Sequence, residues 1–396
     1  MRQTVRQNKA ECTGCSACVS ICPKGAIAMQ PDEEGFLYPV VDGSKCVQCD
    51  LCEKRCPAGR VLQENKPSVY GAQHKDEAIR SRSSSGGVFT ALARGMLQSG
   101  GVVFGAAFDE ALRVEHIGAF DEAELAAMRG SKYVQSDAAD AVANAASLLE
   151  RGIPVLFSGT PCQVSGLKAR VGKKHEDKLL TVDFVCHGVP SPGVFASYLQ
   201  ELERKHGQRV VSYTFRDKRK GWKDFSAVAT FADDTEHVGQ QTTEPFLYGF
   251  LQNLYLRPSC MQCTSLRGSH HMSDITIADL WGAQTLCPQR DDDTGLSLVF
   301  VNTKKGRQAL ENAGAQLTIF PFSDTDKLLR VNPSIEVPAK AHEKRRAFFS
   351  WYQKHGFDSE YVMKLLAGPG ALERIVRRIA HLPKGLARRI GVLLGK

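Results

Sequence analysis

The first roughly sixty residues carry two copies of one cysteine pattern. CTGCSACVSICP sets Cys12, Cys15, Cys18 and Cys22 in C-x2-C-x2-C-x3-C-P order, and CVQCDLCEKRCP repeats it with Cys46, Cys49, Cys52 and Cys56. Two-residue gaps let three thiolates of one tight loop converge on a single iron–sulfur cluster. The fourth, set before a helix-limiting proline, reaches the other cluster. The spacing therefore predicts a crossed assignment. Cys12, Cys15, Cys18 and Cys56 hold one [4Fe-4S] cluster; Cys46, Cys49, Cys52 and Cys22 hold the second. C-x2-C pairs also suit tetrahedral zinc, but two complete four-cysteine units, each with C-P, fit zinc badly.

The segment resembles a bacterial two-cluster ferredoxin over about residues 8–60, a unit that moves single electrons and has no substrate chemistry of its own. A further pair, Cys260 and Cys263 in SCMQC, has cluster-loop spacing but supplies only half the ligands of a site. The other half must come from elements that bring distant cysteines together. IPVLFSG (153–159) is a short apolar run followed by a helical start, TPCQVSGLKARV. LLTVDFVC (179–186) is another, followed by the loop and helix of HGVPSPGVFASYLQELERKHG. Strand–helix–strand–helix implies a right-handed parallel crossover. Both following loops then lie at the carboxyl ends of parallel strands, where open α/β sheets bind ligands. Cys162 and Cys186 sit in those two loops. With Cys260 and Cys263 they make a third four-thiolate site; a structural zinc, or two unrelated sets of thiols, are the alternatives. Cys287 is a spare candidate, read as a simple thiol.

The remaining elements follow from pattern. Residues 83–87 form a Ser-Gly loop opening the helical VFTALARGML, and a helix start of that composition offers backbone N–H groups to an anion such as a nucleotide phosphate; a plain cap is the alternative. VVFGAAF and RVEHIGAF read as paired strands. DEAELAAMRGSKYVQSDAADAVANAASLLERG reads as two helices broken at 130–133. The middle stretch, VVSYTFRDKRKGW to TEHVG, reads as antiparallel strands, EPFLYGFLQNLYL as an apolar helix, and SDITIADL and LSLVFV as strands.

The strings GGVFTALARGML, KYVQS, GTPCQVSGL, FVCHGVPS, RDKRKGW, CMQC and SDITIADLWG resemble, in order, the beta-subunit family of coenzyme F420 hydrogenases and dehydrogenases over about residues 68–325. The resemblance implies a noncovalent FAD in the α/β domain. It also implies a [4Fe-4S] cluster beside the flavin, carried onto Cys162, Cys186, Cys260 and Cys263. Candidate flavin contacts are Ser84, Ser85, Gly86 and Gly87 around the phosphates, with Lys132, Tyr133, Thr160 and Asp279 as further contacts. No G-x-G-x-x-G occurs, so a Rossmann dinucleotide site is not expected. His187, directly after Cys186, is the candidate catalytic proton donor, against an ordinary loop histidine. Arg216, Asp217, Lys218 and Trp222 of RDKRKGW either hold an anion or form a solvated hairpin, and His270 and His271 read as surface residues.

The fold expected is α+β or α/β: a ferredoxin domain (1–64), a mixed α/β flavin-binding region (68–150 and 151–325) and a helical basic tail (340–396). The chain has 396 residues, 42% hydrophobic, with a net charge of +8. Its basic residues are scattered, without the aromatic interleaving of single-strand binders, so no nucleic-acid partner is expected. No apolar run reaches the roughly 18–20 residues of a membrane span and the start shows no apolar leader, so the expected compartment is the cytoplasm. The interleaved basic and aliphatic residues of ALERIVRRIAHLPKGLARRIGVLLGK either touch an anionic membrane face or partner, or pack on their own domain.

The expected function is an iron–sulfur flavoprotein oxidoreductase relaying single electrons through clusters to FAD, for two-electron chemistry on a small organic acceptor, a deazaflavin coenzyme or another substrate. The alternative is a non-catalytic electron-transfer subunit serving a partner oxidoreductase. Ferredoxin or such a subunit is the expected electron donor or acceptor.

Overall fold

The computed structural model describes residues 8–58, 66–263, 267–322 and 324–367. In the cysteine-rich segment each C-x2-C-x2-C loop runs into a short helix, Ala17–Ile21 and Leu51–Lys54. The residue before each, Ser16 or Asp50, is left-handed (φ 61° and 58°), which folds the loop tightly enough to gather its cysteines. Between the motifs β1 (Ile27–Pro31) pairs antiparallel with β2 (Leu37–Val41). Their turn is set by Asp32, whose Oδ1 accepts the N–H groups of Glu34 and Phe36.

The chain then builds a large mixed sheet. Its strands are β3 (Ser68–His74), β4 (Val102–Phe108), β5 (Val114–Ala119), β6 (Val155–Ser158) and β7 (Leu179–Phe184). A separate three-stranded antiparallel sheet follows, β8 (Val210–Asp217), β9 (Ser226–Phe231) and β10 (Glu236–Gln240). The chain returns to the large sheet with β11 (Ile275–Asp279), β12 (Ser297–Val301) and β13 (Leu317–Pro321). The order is β13-β3-β12-β11-β7-β6-β4-β5. The central strands β4, β6, β7 and β11 are parallel, and the flanks are antiparallel.

The parallel strands are covered on both faces, which explains their unbroken apolar runs. Val103, Leu156 and Leu180 pack with the helices Val88–Gln98 and Lys304–Asn312. Their strand neighbours Val102, Val155 and Leu179 point the other way, into the helices Ala139–Glu150 and Pro161–Val171. A third, aromatic core joins the small sheet to the helices Pro192–His206, Pro245–Leu251, Arg345–His355 and Ser359–Leu366. Cys12, Phe36 and Tyr38 belong to it, so the cysteine-rich segment shares a hydrophobic core with the body.

The paired β4 and β5, the parallel β6 and β7 and the antiparallel middle sheet are as the sequence pattern predicts. EPFLYGFLQNLYL differs: its helix ends at Leu251, because Asn253 takes a left-handed conformation (φ 61°) and sends Leu254, Tyr255 and Leu256 into the aromatic core. Among the described residues no helix is long and apolar enough to cross a membrane. The basic stretch 371–396 lies outside the described residues.

Candidate functional site

Cys12, Cys15, Cys18 and Cys56 line one small cavity with Thr13, Gly14 and Met29. Cys56, from the second motif, thus lies with three cysteines of the first, while Cys22 of the first motif is in electrostatic reach of Cys52. Cys46 and Cys49 are exposed at the surface, whereas Cys12 and Cys15 are buried.

A second small cavity is lined by Cys162, Cys186, Cys260 and Cys263, together with Thr13, Arg267 and His271. The fold positions these thiols from three elements. Cys162 lies in the first turn of the helix Pro161–Val171, whose start is fixed by Pro161 and by a capping box between Thr160 and Gln163. Cys186 follows β7. Cys260 lies in the single-turn helix Pro258–Gln262, and Cys263 ends it. Among the described residues no group of three or more His, Cys, Asp or Glu is gathered tightly enough to hold a single metal ion.

Burial dominates the chemistry of these thiols. It pushes Cys15 and Cys260 up to about 12 and raises Cys162, Cys186 and Cys263. Arg257 opposes the rise at Cys162 and Cys260, and Arg267 opposes it at Cys186 and Cys263. Thiols held this way ionise when a metal centre supplies the counter-charge.

Against both cysteine sets lies a cavity of about 590 Å³, inside the roughly 300–1,000 Å³ range of cofactor and ligand pockets. Cys162 and Cys186 line it as well as the small cavity, and Thr13 and Gly14 of the first cysteine loop reach its wall. At its far side lie the 83–87 loop and the start of the helix Val88–Gln98. Gly87 is the N-cap (φ 84°) and brings no side chain to cap the first-turn N–H groups. That leaves the positive end of a helix at the cavity wall.

The predicted flavin contacts sort by what they touch. Ser84 Oγ accepts the Ser131 N–H at 2.6 Å, tying the loop to the 130–133 break, and Ser85 Oγ donates to the Leu296 carbonyl at 2.9 Å. Gly86 is set back from the wall. A Cβ there would stand 2.5 Å from the Ala72 carbonyl oxygen, so it is a packing glycine between β3 and β12. Lys132 donates to the Ala127 and Arg129 carbonyls, and burial lowers it to about 7. Tyr133 Oη and Asp279 Oδ2 each accept from Arg216 Nη1 at 3.0 Å, and Trp222 Nε1 donates to Asp279 Oδ1 at 3.1 Å.

Arg216 and Trp222 are buried, so the solvated-hairpin expectation for RDKRKGW is wrong for these two; Arg219 alone pairs outward, with Asp217 and Glu236. The Arg216 guanidinium lies over the Phe225 ring at 4.0 Å and the Trp281 ring at 5.2 Å. Arg216 and Gln135 line the cavity, while Arg216 Nε and Nη2 and Gln135 Nε2 are themselves buried and have no hydrogen-bond partner among the described residues. Each unpaired buried donor costs about 1–3 kcal/mol. The cavity volume and the uncapped helix start are compatible with a dinucleotide flavin.

His187 lines the same cavity, and burial lowers its pKa. Its Nε2 meets Asn253 Oδ1 at 2.5 Å, so Nε2 carries the proton and Nδ1 of the neutral ring is an acceptor. His271 is not a surface residue. It is buried, with Nδ1 2.8 Å from Asp183 Oδ2, and Asp183 also accepts from Ser273 and Thr276. Cys287 is buried among Trp222, Leu280 and Leu296 and lines neither cysteine cavity.

Comparison with known families agrees with this geometry. The N-terminal model of the coenzyme F420 hydrogenase/dehydrogenase beta subunit matches residues 69–143 and its C-terminal model residues 154–324. The chain belongs to this beta-subunit family. A 4Fe-4S dicluster domain matches residues 11–60, so this family member carries its own iron–sulfur domain, and its chemistry is redox. No curated protein matches the chain. Among solved structures, a chain of the F420-reducing [NiFe] hydrogenase complex from Methanosarcina barkeri, in a xenon-derivatised form, is 18% identical. That similarity covers 72% of this chain and 92% of that one, with a TM-score of 0.49.

Two residues of this beta-subunit relative escape motif reading. Arg257, in LYLRPSC, is fully buried, and its guanidinium holds the Cys12 and Leu37 carbonyls and Gln135 Oε1 at 2.8–3.0 Å. Only its position before the C-x2-C pair signals it. His116 lies on the cavity wall between Ser136 Oγ and the Ser158 carbonyl, and burial lowers it to about 4. The inward alternation of Val114 and His116 along β5 is its only trace in the sequence.

Proposed function

We propose that the chain is an electron-transfer subunit. It moves single electrons between its ferredoxin domain and an FAD held in the large cavity, and it serves a partner oxidoreductase. The reading assigns one cluster to Cys12, Cys15, Cys18 and Cys56, one to Cys46, Cys49, Cys52 and Cys22, and a third to Cys162, Cys186, Cys260 and Cys263. The observation that carries it is the sharing of walls: Thr13 borders all three cavities, and Cys162 and Cys186 border the small and the large one. This sharing supports a relay from the cysteine-rich segment to the large cavity. A bound flavin interchanges one-electron and two-electron chemistry. The family description as a beta subunit supports service to a partner.

Within this reading Arg216 and Gln135 form part of the wall around the bound cofactor, and the 83–87 loop with the start of the helix Val88–Gln98 would take its phosphates. Asp279 and Tyr133 orient Arg216. His187 Nδ1 accepts a proton. A second reading, in which the chain itself transforms a small anionic acceptor such as a deazaflavin, is favoured by the cationic residues Arg216 and Lys223 on the wall.

The test is iron, acid-labile sulfide and released flavin per chain on one anaerobically purified sample. About twelve irons, at roughly four per cubane, and one FAD are expected. About eight irons and no flavin overturn the reading. Turnover of a deazaflavin or another small acceptor by the isolated chain, with a reduced dye as donor, selects the second reading; reactivity confined to preparations retaining a partner selects the first.

A further inference from the structure

Arg257 is a fully buried cation, and among the described residues no carboxylate pairs with it. A charge in that position needs an opposite charge nearby. Its surroundings offer neutral acceptors: the carbonyls of Cys12 and Leu37, Gln135 Oε1, and the faces of Tyr38 at 4.0 Å and Phe36 at 5.7 Å. The one remaining contact is Cys12 Sγ, 3.7 Å from Nη2. On the other side the Arg257 carbonyl accepts the Cys260 N–H at 3.0 Å, so the same residue starts the turn that carries Cys260 and Cys263. Its charge acts on Cys162 and Cys260 as well.

We propose that Arg257 is the shared counter-charge of two clusters, the one at Cys12, Cys15, Cys18 and Cys56 and the one at Cys162, Cys186, Cys260 and Cys263. It is a positioning residue that raises both reduction potentials and so favours the electron on these two clusters over the set at Cys22, Cys46, Cys49 and Cys52. This rests on the cluster assignment proposed above. An all-thiolate cubane is anionic and gains one further negative charge when it accepts an electron, so a fixed cation beside it favours the reduced form. No bond forms or breaks, and the electron comes from a one-electron donor such as dithionite. The set at Cys22, Cys46, Cys49 and Cys52 has no contact with Arg257 and serves as an internal control.

The experiment is an EPR-monitored redox titration of the full chain and of Arg257→Met, Arg257→Lys and Gln135→Glu, with iron and sulfide counted on each. Wild-type counts of about twelve irons, at roughly four per cubane, establish the assignment independently of the potentials. Arg257→Met is expected to lower the reduced-to-oxidised ratio of two clusters at least tenfold at fixed solution potential, about 59 mV for a one-electron couple. The third is expected to stay unmoved, and Arg257→Lys to restore most of the shift. Full iron with unmoved potentials in Arg257→Met overturns the proposal. Where Arg257→Met loses iron, Gln135→Glu decides. It keeps the guanidinium, whose Nη1 lies 3.0 Å from Gln135 Oε1, and neutralises it with a carboxylate. A matching fall in the two potentials supports the counter-charge, and no fall overturns it.

Discussion

At the scale of residues, the dicluster cysteine motifs are legible because cluster chemistry constrains spacing, while the residues that hold charge around them are not. Arg216 and Arg257 meet partners 63 and 122 positions away, Asp279 and Gln135, and no local pattern encodes such pairings. Lys132 is intermediate: KYVQS singled it out, but only the fold shows that burial lowers it to about 7. The sign of its effect follows. Desolvation disfavours the ammonium, so Lys132 is neutral above about 7 and becomes cationic as the pH falls through that value. Its neighbour Ser131 is tied to Ser84 of the proposed phosphate loop, so the cation forms close to an anionic ligand. FAD is therefore expected to bind several-fold more tightly at pH 6 than at pH 8.5. In Lys132→Met that dependence is expected to flatten. Flavin fluorescence titrations across the range measure it, and a flat wild-type profile rejects the role.

At the scale of elements, the local crossovers were readable and the long-range closures were not. IPVLFSG and LLTVDFVC are short unbroken apolar runs, each followed by a capped helix start, which is what buried parallel strands require. By contrast β3 completes the sheet with β12 and β13, more than two hundred residues downstream, in a register such as Tyr70 opposite Val299. Nothing in SVYGAQH alone selects those partners. The docking of the ferredoxin segment is equally long-range. Glu34 pairs with both terminal nitrogens of Arg345, its carbonyl accepts from Ser191 Oγ at 2.5 Å, and Gly35 meets Gly193 backbone to backbone. A Cβ at Gly193 would stand 2.8 Å from Gly35 Cα and 2.9 Å from Tyr352 Oη. Helix geometry at 193 accepts alanine, so Gly193→Ala isolates this close approach. It is expected to lose about 1–3 kcal/mol through overpacking. It should also slow electron transfer from the ferredoxin domain to the cavity more than it lowers iron content. Stopped-flow reduction beside a thermal melt separates the two effects, and an unchanged rate with an unchanged melt rejects the contact as a docking point.

At the scale of the whole molecule, the cysteine sets differ in depth in a way that gives the chain a direction. Cys46 and Cys49 are exposed, with Val47 and Leu51 also exposed beside them. Cys12 and Cys15 are buried in contact with the body: a Cβ at Gly166, in the helix Pro161–Val171 that carries Cys162, would stand 3.0 Å from Cys15 Sγ. In the function proposed above the second cysteine set is the surface port and the first is the middle, while Cys162 and Cys186 line the large cavity. Exposure also sets vulnerability, since access governs attack on a thiolate or on the iron it holds. Iron loss to a hydrophilic chelator is therefore expected in two phases, with about a third of the total, one cubane of roughly four irons, leaving well before the rest. Shielding the surface port should remove the fast phase alone. A bound redox partner that protects those fast irons, and slows reduction by a bulky donor while leaving a small donor unaffected, would locate its docking site at Cys46 and Cys49. A single-phase loss of all iron would mean that the three sets share one exposure, and the surface-to-cavity direction would fail with it.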